Sequence, residues 1–247
     1  MPTTSAPQLT VVMPVYNESG VIGTVIKDWT VMLDTLGVPY VFRVYNDGSR
    51  DNTREVLDGL KGGFPHLEVV HKPNGGHGPT ILQGYREAAT EWVFQADSDD
   101  EMKASHFTKL WQVREQYDFL LGARQARGGP LPRRIITFVA KMIVVVLYGS
   151  GLRDMNSPYR LMRRSKLQDV YEALPHDTFA PNVIISGVVN ARKLRMLEVP
   201  IPYAFRQTGV VSINKMKLLK AAIRSMRQTI AFRFAYGARV RDPRTVA

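Results

Sequence analysis

Leu9-Thr10-Val11-Val12-Met13-Pro14-Val15-Tyr16-Asn17-Glu18 decides how the rest of the chain is read. A short apolar run, Leu9–Met13, passes at once into a polar segment that opens with proline. The run carries apolar residues on both parities, as a strand covered on both faces of a sheet requires. Similar runs follow at Tyr40–Tyr45, Leu67–Val70, Trp92–Phe94 and Phe119–Leu121. Between them lie helical stretches at about Gly20–Leu36, Asp51–Leu60, Thr80–Ala89 and Ser105–Gln116. Strands alternating with helices imply βαβ units with right-handed crossovers, hence an α/β fold with a mostly parallel sheet flanked by helices. In such sheets ligands bind beyond the carboxyl ends of the strands.

Those ends are where the unusual residues fall. The first run is followed by Pro14–Glu18 and the second by Asn46-Asp47-Gly48-Ser49-Arg50-Asp51-Asn52-Thr53. The third gives Lys72-Pro73-Asn74-Gly75-Gly76-His77-Gly78 and the fourth Asp97-Ser98-Asp99-Asp100-Glu101. Four consecutive polar or glycine-rich strand ends point to one shared site. Asp97 and Asp99, two residues apart after a buried strand, can converge on a hard divalent cation, Mg²⁺ or Mn²⁺, with water and phosphate oxygens completing its shell. A cation bridging a nucleoside diphosphate would neutralise the charge that grows on the leaving group. Glu101 can add a ligand or contact the diphosphate. The competing reading is a helix N-terminus, where acids are favoured; it explains one or two acids, not four in five residues. Asp47 can accept hydrogen bonds from a base or ribose, while Gly48 permits a tight turn. A plain strand-to-helix turn accounts for Asp47 and for Pro14–Glu18 equally well when each is taken alone. His77 can contact the donor phosphate, but a lone loop histidine is more often structural, and no catalytic role is expected of it.

The second half is less regular. A loop at Gly128–Arg134 precedes an apolar helix at Ile135–Tyr148. Helices follow near Ser165–Leu174 and Pro181–Ala191, then a strand over Leu194–Phe205 interrupted by Pro200 and Pro202. A basic amphipathic helix, about Lys215–Phe234, closes the chain, so the expected division is a main domain over residues 1–211 and a basic helix and tail over residues 212–247.

Composition bounds the partners. The 247 residues carry 33 Lys and Arg against 22 Asp and Glu, a net charge of +11, and no cysteine. Disulfides and cysteine chemistry are excluded, a reducing cytosolic location fits, and an anionic partner is expected. From Ser212 to Ala247 there are nine Lys or Arg and one acid, Asp242. Met1–Pro7 is polar and Leu9–Met13 too brief for a signal sequence. Ile135–Tyr148 contains Lys141 and falls short of the roughly 20 apolar residues of a span. The expectation is a cytoplasmic protein, peripheral on the cytoplasmic face of a membrane.

Taken in order, Pro14-Val15-Tyr16-Asn17-Glu18, Asp47-Gly48-Ser49-Arg50-Asp51-Asn52-Thr53 and Asp97-Ser98-Asp99 resemble the motifs of the family-two inverting glycosyltransferases of GT-A fold. The resemblance spans about Leu9–Lys215. It implies that Pro14, Tyr16, Glu18 and Asp47 hold the base and ribose of a nucleotide-sugar donor, GDP- or UDP-linked. Asp97, Ser98, Asp99 and Glu101 would lie at the metal and diphosphate, with Asp97, Asp99 and Glu101 as metal ligands. Within the family the chain looks most like the dolichyl- or polyprenyl-phosphate sugar synthases. Gly122-Ala123-Arg124 matches their Gly-Ser-Arg element, which puts Arg124 at the donor. Asp154-Met155-Asn156-Ser157-Pro158-Tyr159-Arg160 matches their Asp-x-x-Ser-Gly-Phe-Arg element, with Pro158 in place of glycine. Glu198-Val199-Pro200-Ile201 and Arg206 match further on, but no lysine directly follows Ser212, and Lys215 stands for it. The expected product is a polyprenyl or dolichyl phosphate sugar; the alternative is transfer to a saccharide or small-molecule hydroxyl.

A hydroxyl acceptor usually needs a general base. Phe179-Ala180-Pro181-Asn182 offers no carboxylate; Asp154 is the remaining candidate, as a catalytic base or as a partner of Arg153 or Arg160. A phosphate acceptor arrives ionised and needs cations, which Arg124, Arg133, Arg134, Arg160 and Arg206 can supply. The basic helix suits a lipid-phosphate acceptor, because alternating cations and apolar residues can lie on an anionic membrane surface. Packing of its apolar side on the domain is the equal alternative. A nucleic-acid module fits poorly with an acidic mouth, and a nucleotidyltransferase lacks its glycine- and lysine-rich first loop.

Overall fold

The structure, a computed structural model, describes residues 6–125, 131–202 and 215–237; the side chains of residues 131–137, 139, 140 and 215–218 fall outside the described set. A seven-stranded sheet forms the centre: β1 (Leu9–Val15), β2 (Tyr40–Asp47), β3 (Leu67–Lys72), β4 (Trp92–Gln95), β5 (Phe119–Arg124), β6 (Arg160–Arg163) and β7 (Met196–Ile201). The spatial order is β3-β2-β1-β4-β6-β5-β7. Every pairing is parallel except those of β6, which runs antiparallel to both β4 and β5. The fold class is therefore α/β with a mostly parallel sheet, as the apolar runs imply.

Both faces of the sheet are covered. All seven residues of β1 are buried, with Val11 and Met13 on one side and Val12 on the other. The first face packs on α1 (Ile22–Asp34), α2 (Thr53–Leu60) and α4 (Phe107–Val113), where Trp29 and Phe94 touch each other and both touch the rings of Phe107 and Tyr159. The second face packs on α3 (His77–Glu87), α5 (Leu131–Tyr148), α6 (Gln168–Ala173), α7 (Pro181–Ala191) and α8 (Lys215–Tyr236). Side chains of this size each stabilise by about 1.5–3 kcal/mol when fully buried. Gly84 of α3 lets that helix lie directly on β1, because a Cβ there would sit 2.3 Å from Val12 Cγ1.

Several boundaries differ from the sequence expectation. Helix α3 begins at His77 and not near Thr80, so Gly76-His77-Gly78 is a helix start rather than a free loop. Strand β7 is confined to Met196–Ile201; it tolerates Pro200 because it is an edge strand, where a missing N–H removes no ladder bond. The expected strand residues beyond Pro202 lie outside the described set. Strand β6 carries Arg160 and Arg163 at its ends, which hides a four-residue strand, buried except at Arg163, from any apolar pattern. Helix α8 docks on the domain through the Tyr148 hydroxyl to Thr229 O (2.9 Å), Tyr236 to Asp169 (2.7 Å) and buried Phe232.

Arg160 is the principal correction to the proposed acceptor site. It is fully buried, and its guanidinium donates to the carbonyls of Ser157 (2.7 and 2.9 Å), Met155 (3.1 Å) and Asn182 (3.1 Å). Burial pulls its pKa below the ordinary arginine value. A guanidinium spent on internal carbonyls has no donors for an acceptor phosphate. It joins β6 to α7 instead. Arg160→Leu should therefore lower stability by about 3 kcal/mol, since three buried acceptors lose their donor at about 1 kcal/mol or more each; the urea midpoint, read at unchanged m-value, measures this.

Candidate active site at four strand ends

Strands β3, β2, β1 and β4 lie side by side and run the same way, so their carboxyl ends open on one edge. Here a cavity of about 380 Å³ is lined by Pro14, Val15, Tyr16, Glu18, Asp47, Asn74, Gly76, His77, Asp97, Ser98 and Asp99. Its size suits a nucleotide-sized ligand. A smaller adjoining recess is lined by Asp97, Asp99, Glu101, Met102, Arg124 and Pro158. The structure thus brings together Pro14, Tyr16, Glu18, Asp47, Asp97, Ser98 and Asp99, and places Glu101 and Arg124 next door.

The first two loops are stitched to each other. Asn17 takes a left-handed conformation (φ 55°); its amide donates to Ser49 Oγ (3.0 Å) and its Oδ1 accepts from Arg50 N (2.8 Å). Glu18 N donates to Thr53 Oγ1 (2.9 Å). Asp51 accepts from the amides of Ser19 and Thr53, both at 3.1 Å. The Asp-Gly-Ser-x-Asp-x-Thr spacing is therefore a set of clasps for the Tyr16-Asn17-Glu18 turn as well as a route into α2.

Asp47 is the anchor of the third loop. Its carboxylate accepts from Lys72 Nζ (2.5 Å), Gly75 N (2.8 Å) and Gly76 N (2.8 Å), while Asn74 Nδ2 donates to the Asp47 carbonyl (2.8 Å). Burial alone would raise the Asp47 carboxyl, but the hydrogen bonds from Lys72 and Gly75 outweigh it and hold it below the usual carboxylate range. Gly48 makes the close approach possible: it has φ 66°, and a Cβ there would lie 2.6 Å from Asn74 N. Lys72, Asn74 and Gly76 received no site role from the sequence; a lysine at a strand end before paired glycines was the available signal.

The acidic segment sits ahead of the next helix, not in it. Residues 97–101 form a loop with Asp100 at φ 59°, a 3₁₀ turn at Ala104–His106 precedes α4, and the first turn of α4 holds no acid. The helix-terminus explanation of these acids is thereby removed. Asp99 Oδ1 accepts from Glu101 N (3.2 Å), and His77 Nε2 lies 3.9 Å from Asp97 Oδ1. Among the described residues no three His, Asp or Glu side chains converge as a closed cation cage. Asp97 and Asp99 facing one recess still fit a Mg²⁺ or Mn²⁺ ion, which takes one or two carboxylates and fills its shell with water and phosphate oxygens.

Asp154 pairs with Arg124, not with Arg153 or Arg160: Nε to Oδ2 and Nη2 to Oδ1, both 2.7 Å. Glu198, from the Glu-Val-Pro-Ile element, accepts from the amides of Arg153 (2.7 Å) and Asp154 (3.1 Å) and so fixes that loop. Arg206 lies outside the described residues. Arg133 and Lys215 belong to α5 and α8, but their side chains fall outside the described set.

Sequence comparison assigns the chain to a family. Residues 10–171 match the model of glycosyl transferase family 2, and the chain belongs to that family. Among curated proteins it is similar to undecaprenyl-phosphate 4-deoxy-4-formamido-L-arabinose transferase of Edwardsiella ictaluri, 25% identical over 214 residues. The homologue of Serratia proteamaculans is 24% identical over 215 residues. These alignments cover 85% and 86% of the chain but 64% of each relative's length. Solved structures share its GT-A fold. Mannosyl-3-phosphoglycerate synthase of Rubrobacter xylanophilus superposes with TM-score 0.69 at 14% identity, covering 93% of this chain and 75% of that one. Glucosyl-3-phosphoglycerate synthase of Mycobacterium tuberculosis, crystallised with Mn²⁺, UDP-glucose and phosphoglyceric acid, superposes with TM-score 0.66 at 17% identity, covering 93% and 80%.

The Asp47 anchor yields a pH-dependent expectation. Its folded pKa is depressed, so its contribution is present above the unfolded value near 4 and lost as pH falls through the folded value. Lys72→Met should cost about 2 kcal/mol at pH 7, because a buried carboxylate loses its cation. Urea denaturation at a series of pH values should show the gap from the parent narrowing below pH ~4.

Proposed function

We propose that the chain transfers a sugar, with inversion, from a nucleotide-sugar donor to a polyprenyl phosphate at a membrane surface. The observation that carries this reading is the cavity at the ends of β1, β2 and β4, where Asp97 and Asp99 face Tyr16, Glu18 and Asp47. The names of the curated relatives supply the acceptor class, and the UDP-glucose and Mn²⁺ of the mycobacterial complex the donor class and metal.

In this reading Pro14, Tyr16, Glu18 and Asp47 contact base and ribose, and Asp97, Ser98, Asp99 and Glu101 serve the diphosphate and its Mg²⁺ or Mn²⁺. When bound, the cation neutralises charge on the departing nucleoside diphosphate. Arg124 is held by Asp154 at the recess, where a guanidinium can reach donor or acceptor phosphate. Arg133, Arg206 and Lys215 remain the acceptor-phosphate candidates. The division at residue 211 belongs to the same reading, with the C-terminal helix serving the membrane.

A membrane face is supported by an apolar groove between α5 and α8, lined by Phe138, Met142, Ile143, Val146, Leu147 and Ile230. Val146 is 77% exposed and Phe234 73%, and the exposed cations Lys141, Lys220 and Arg227 lie on the same two helices. Apolar side chains among cations are the composition of an interfacial surface. No helix among the described residues is long and apolar enough to cross a membrane.

Two measurements test the proposal. Thermal stabilisation with GDP, UDP and their sugar conjugates, with and without Mn²⁺, should single out one nucleoside diphosphate. At a hundredfold excess over Kd it should add about 2.7 kcal/mol. Asp99→Ala should abolish the Mn²⁺-dependent part, and a folded parent stabilised by no nucleotide would overturn the donor site. Co-sedimentation with vesicles rich in anionic lipid should show binding that weakens with salt and falls about tenfold or more in Val146→Glu, which puts a charge where an apolar side chain meets lipid. Unchanged binding in that variant would remove the groove from the membrane face.

A further inference from the structure

We propose that Gln95 is a positioning residue for Asp97, oriented by Asn182 and Tyr85 from the helices behind the sheet. Gln95 is the last residue of β4 and is completely buried, a polar side chain on the face that otherwise packs Val12, Tyr45 and Val93. Its Nε2 donates to Asp97 Oδ1 at 3.2 Å. Its Oε1 accepts from Asn182 Nδ2 at 2.8 Å and lies 2.5 Å from the Tyr85 hydroxyl, which also lies 2.9 Å from Asn182 Oδ1.

These contacts decide which end of the amide meets the carboxylate. Turned over, Gln95 would set its NH₂ against the Asn182 NH₂ and its oxygen against Asp97, replacing two attractive contacts with two repulsive ones. The donor at the floor of the site is therefore set by α3 through Tyr85 and by α7 through Asn182. Arg160 completes the arrangement by donating to the Asn182 carbonyl (3.1 Å) at the start of α7. A carboxylate on a loop has several side-chain rotamers. A fixed donor on one oxygen selects among them and leaves the carboxylate arranged for a cation before one arrives.

The inference rests on the proposed reading that Asp97 and Asp99 hold a divalent cation with the donor diphosphate, and the experiment separates the two. The Mn²⁺ concentration giving half-maximal thermal stabilisation is measured at a fixed, saturating level of the nucleoside diphosphate that stabilises the parent. The variants are Gln95→Met and Asn182→Asp. The second keeps the shape and the acceptor for Tyr85 but removes the donor that orients Gln95. Half-saturation should rise about tenfold or more in Gln95→Met, and by a smaller factor in the same direction in Asn182→Asp. Stabilisation by the nucleotide without metal should stay within about twofold in apparent affinity, a scale on which one hydrogen bond would register. A residue that only packed the core would lower the melting temperature of the free protein and leave the Mn²⁺ midpoint where it was; that result in either folded variant overturns the inference while leaving the cation site standing. Should the parent itself show no Mn²⁺ dependence, the metal reading fails, and the inference with it.

Discussion

A parallel strand that stops inside a sheet leaves backbone groups without ladder partners, and the loop that follows must pair them while turning out of the sheet. At the end of β2 one carboxylate carries much of that task. Asp47 takes the amides of Gly75 and Gly76 and the ammonium of Lys72, and so binds the loop after β3 to the end of β2. The loop after β1 is clasped in turn by Ser49, Asp51 and Thr53 from the loop after β2. The rim of the cleft is thus a chain of side-chain-to-backbone contacts running across neighbouring strands. A carboxylate already occupied in this way brings its ligand-facing neighbours into place whether or not it touches the ligand itself.

What could be read in advance follows the range of the interactions involved. The runs of β1 to β5 were legible because a strand buried on both faces needs apolar residues on both parities, a purely local requirement. Asp97 and Asp99 stood out because they lie two residues apart just after a strand, and the structure places both at the cleft. Lys72 and Gln95 did not. Lys72 matters through Asp47, 25 residues away, and Gln95 through Asn182, 87 residues away. For Lys72 the local signal was only a lysine at a strand end before paired glycines, and for Gln95 no local pattern marks it off from an ordinary glutamine. Helix α3 was placed three residues late because Gly75-Gly76-His77-Gly78-Pro79 reads as a loop, although a proline in the first turn of a helix is well tolerated.

Arg160 shows the same limit with the opposite sign. Counting arginines treats each as a phosphate ligand in waiting, yet a guanidinium can equally be consumed by carbonyls where the chain folds over it. It occupies a buried strand end, with Ser157, Met155 and Asn182 presenting oxygens to it. Its direct partners are carbonyl dipoles, with the Asp154 charge acting from further off, and the burial is tolerable because several hydrogen bonds act together. The Asp-x-x-Ser-x-x-Arg spacing therefore records a requirement of architecture. It fastens the antiparallel strand β6 and the start of α7 into a sheet that is otherwise parallel.

The pairing of Asp154 bears on the acceptor. To remove a proton from a hydroxyl, a carboxylate must offer a lone pair to it. Both Asp154 oxygens are engaged by Arg124, whose side chain is only 6% exposed, and Glu198 holds the Asp154 backbone from behind. A proton taken up by Asp154 would leave a largely buried guanidinium without its counter-charge, a change whose upper bound is the ~3–5 kcal/mol lost when one member of such a pair is removed outright. An acceptor that arrives as a phosphate asks nothing of Asp154 and leaves the pair whole. It meets instead a guanidinium held in place at the recess beside Asp97 and Asp99. The pairing that sets Asp154 against Arg124 also holds that guanidinium at the recess, the arrangement that the proposed phosphate acceptor would use.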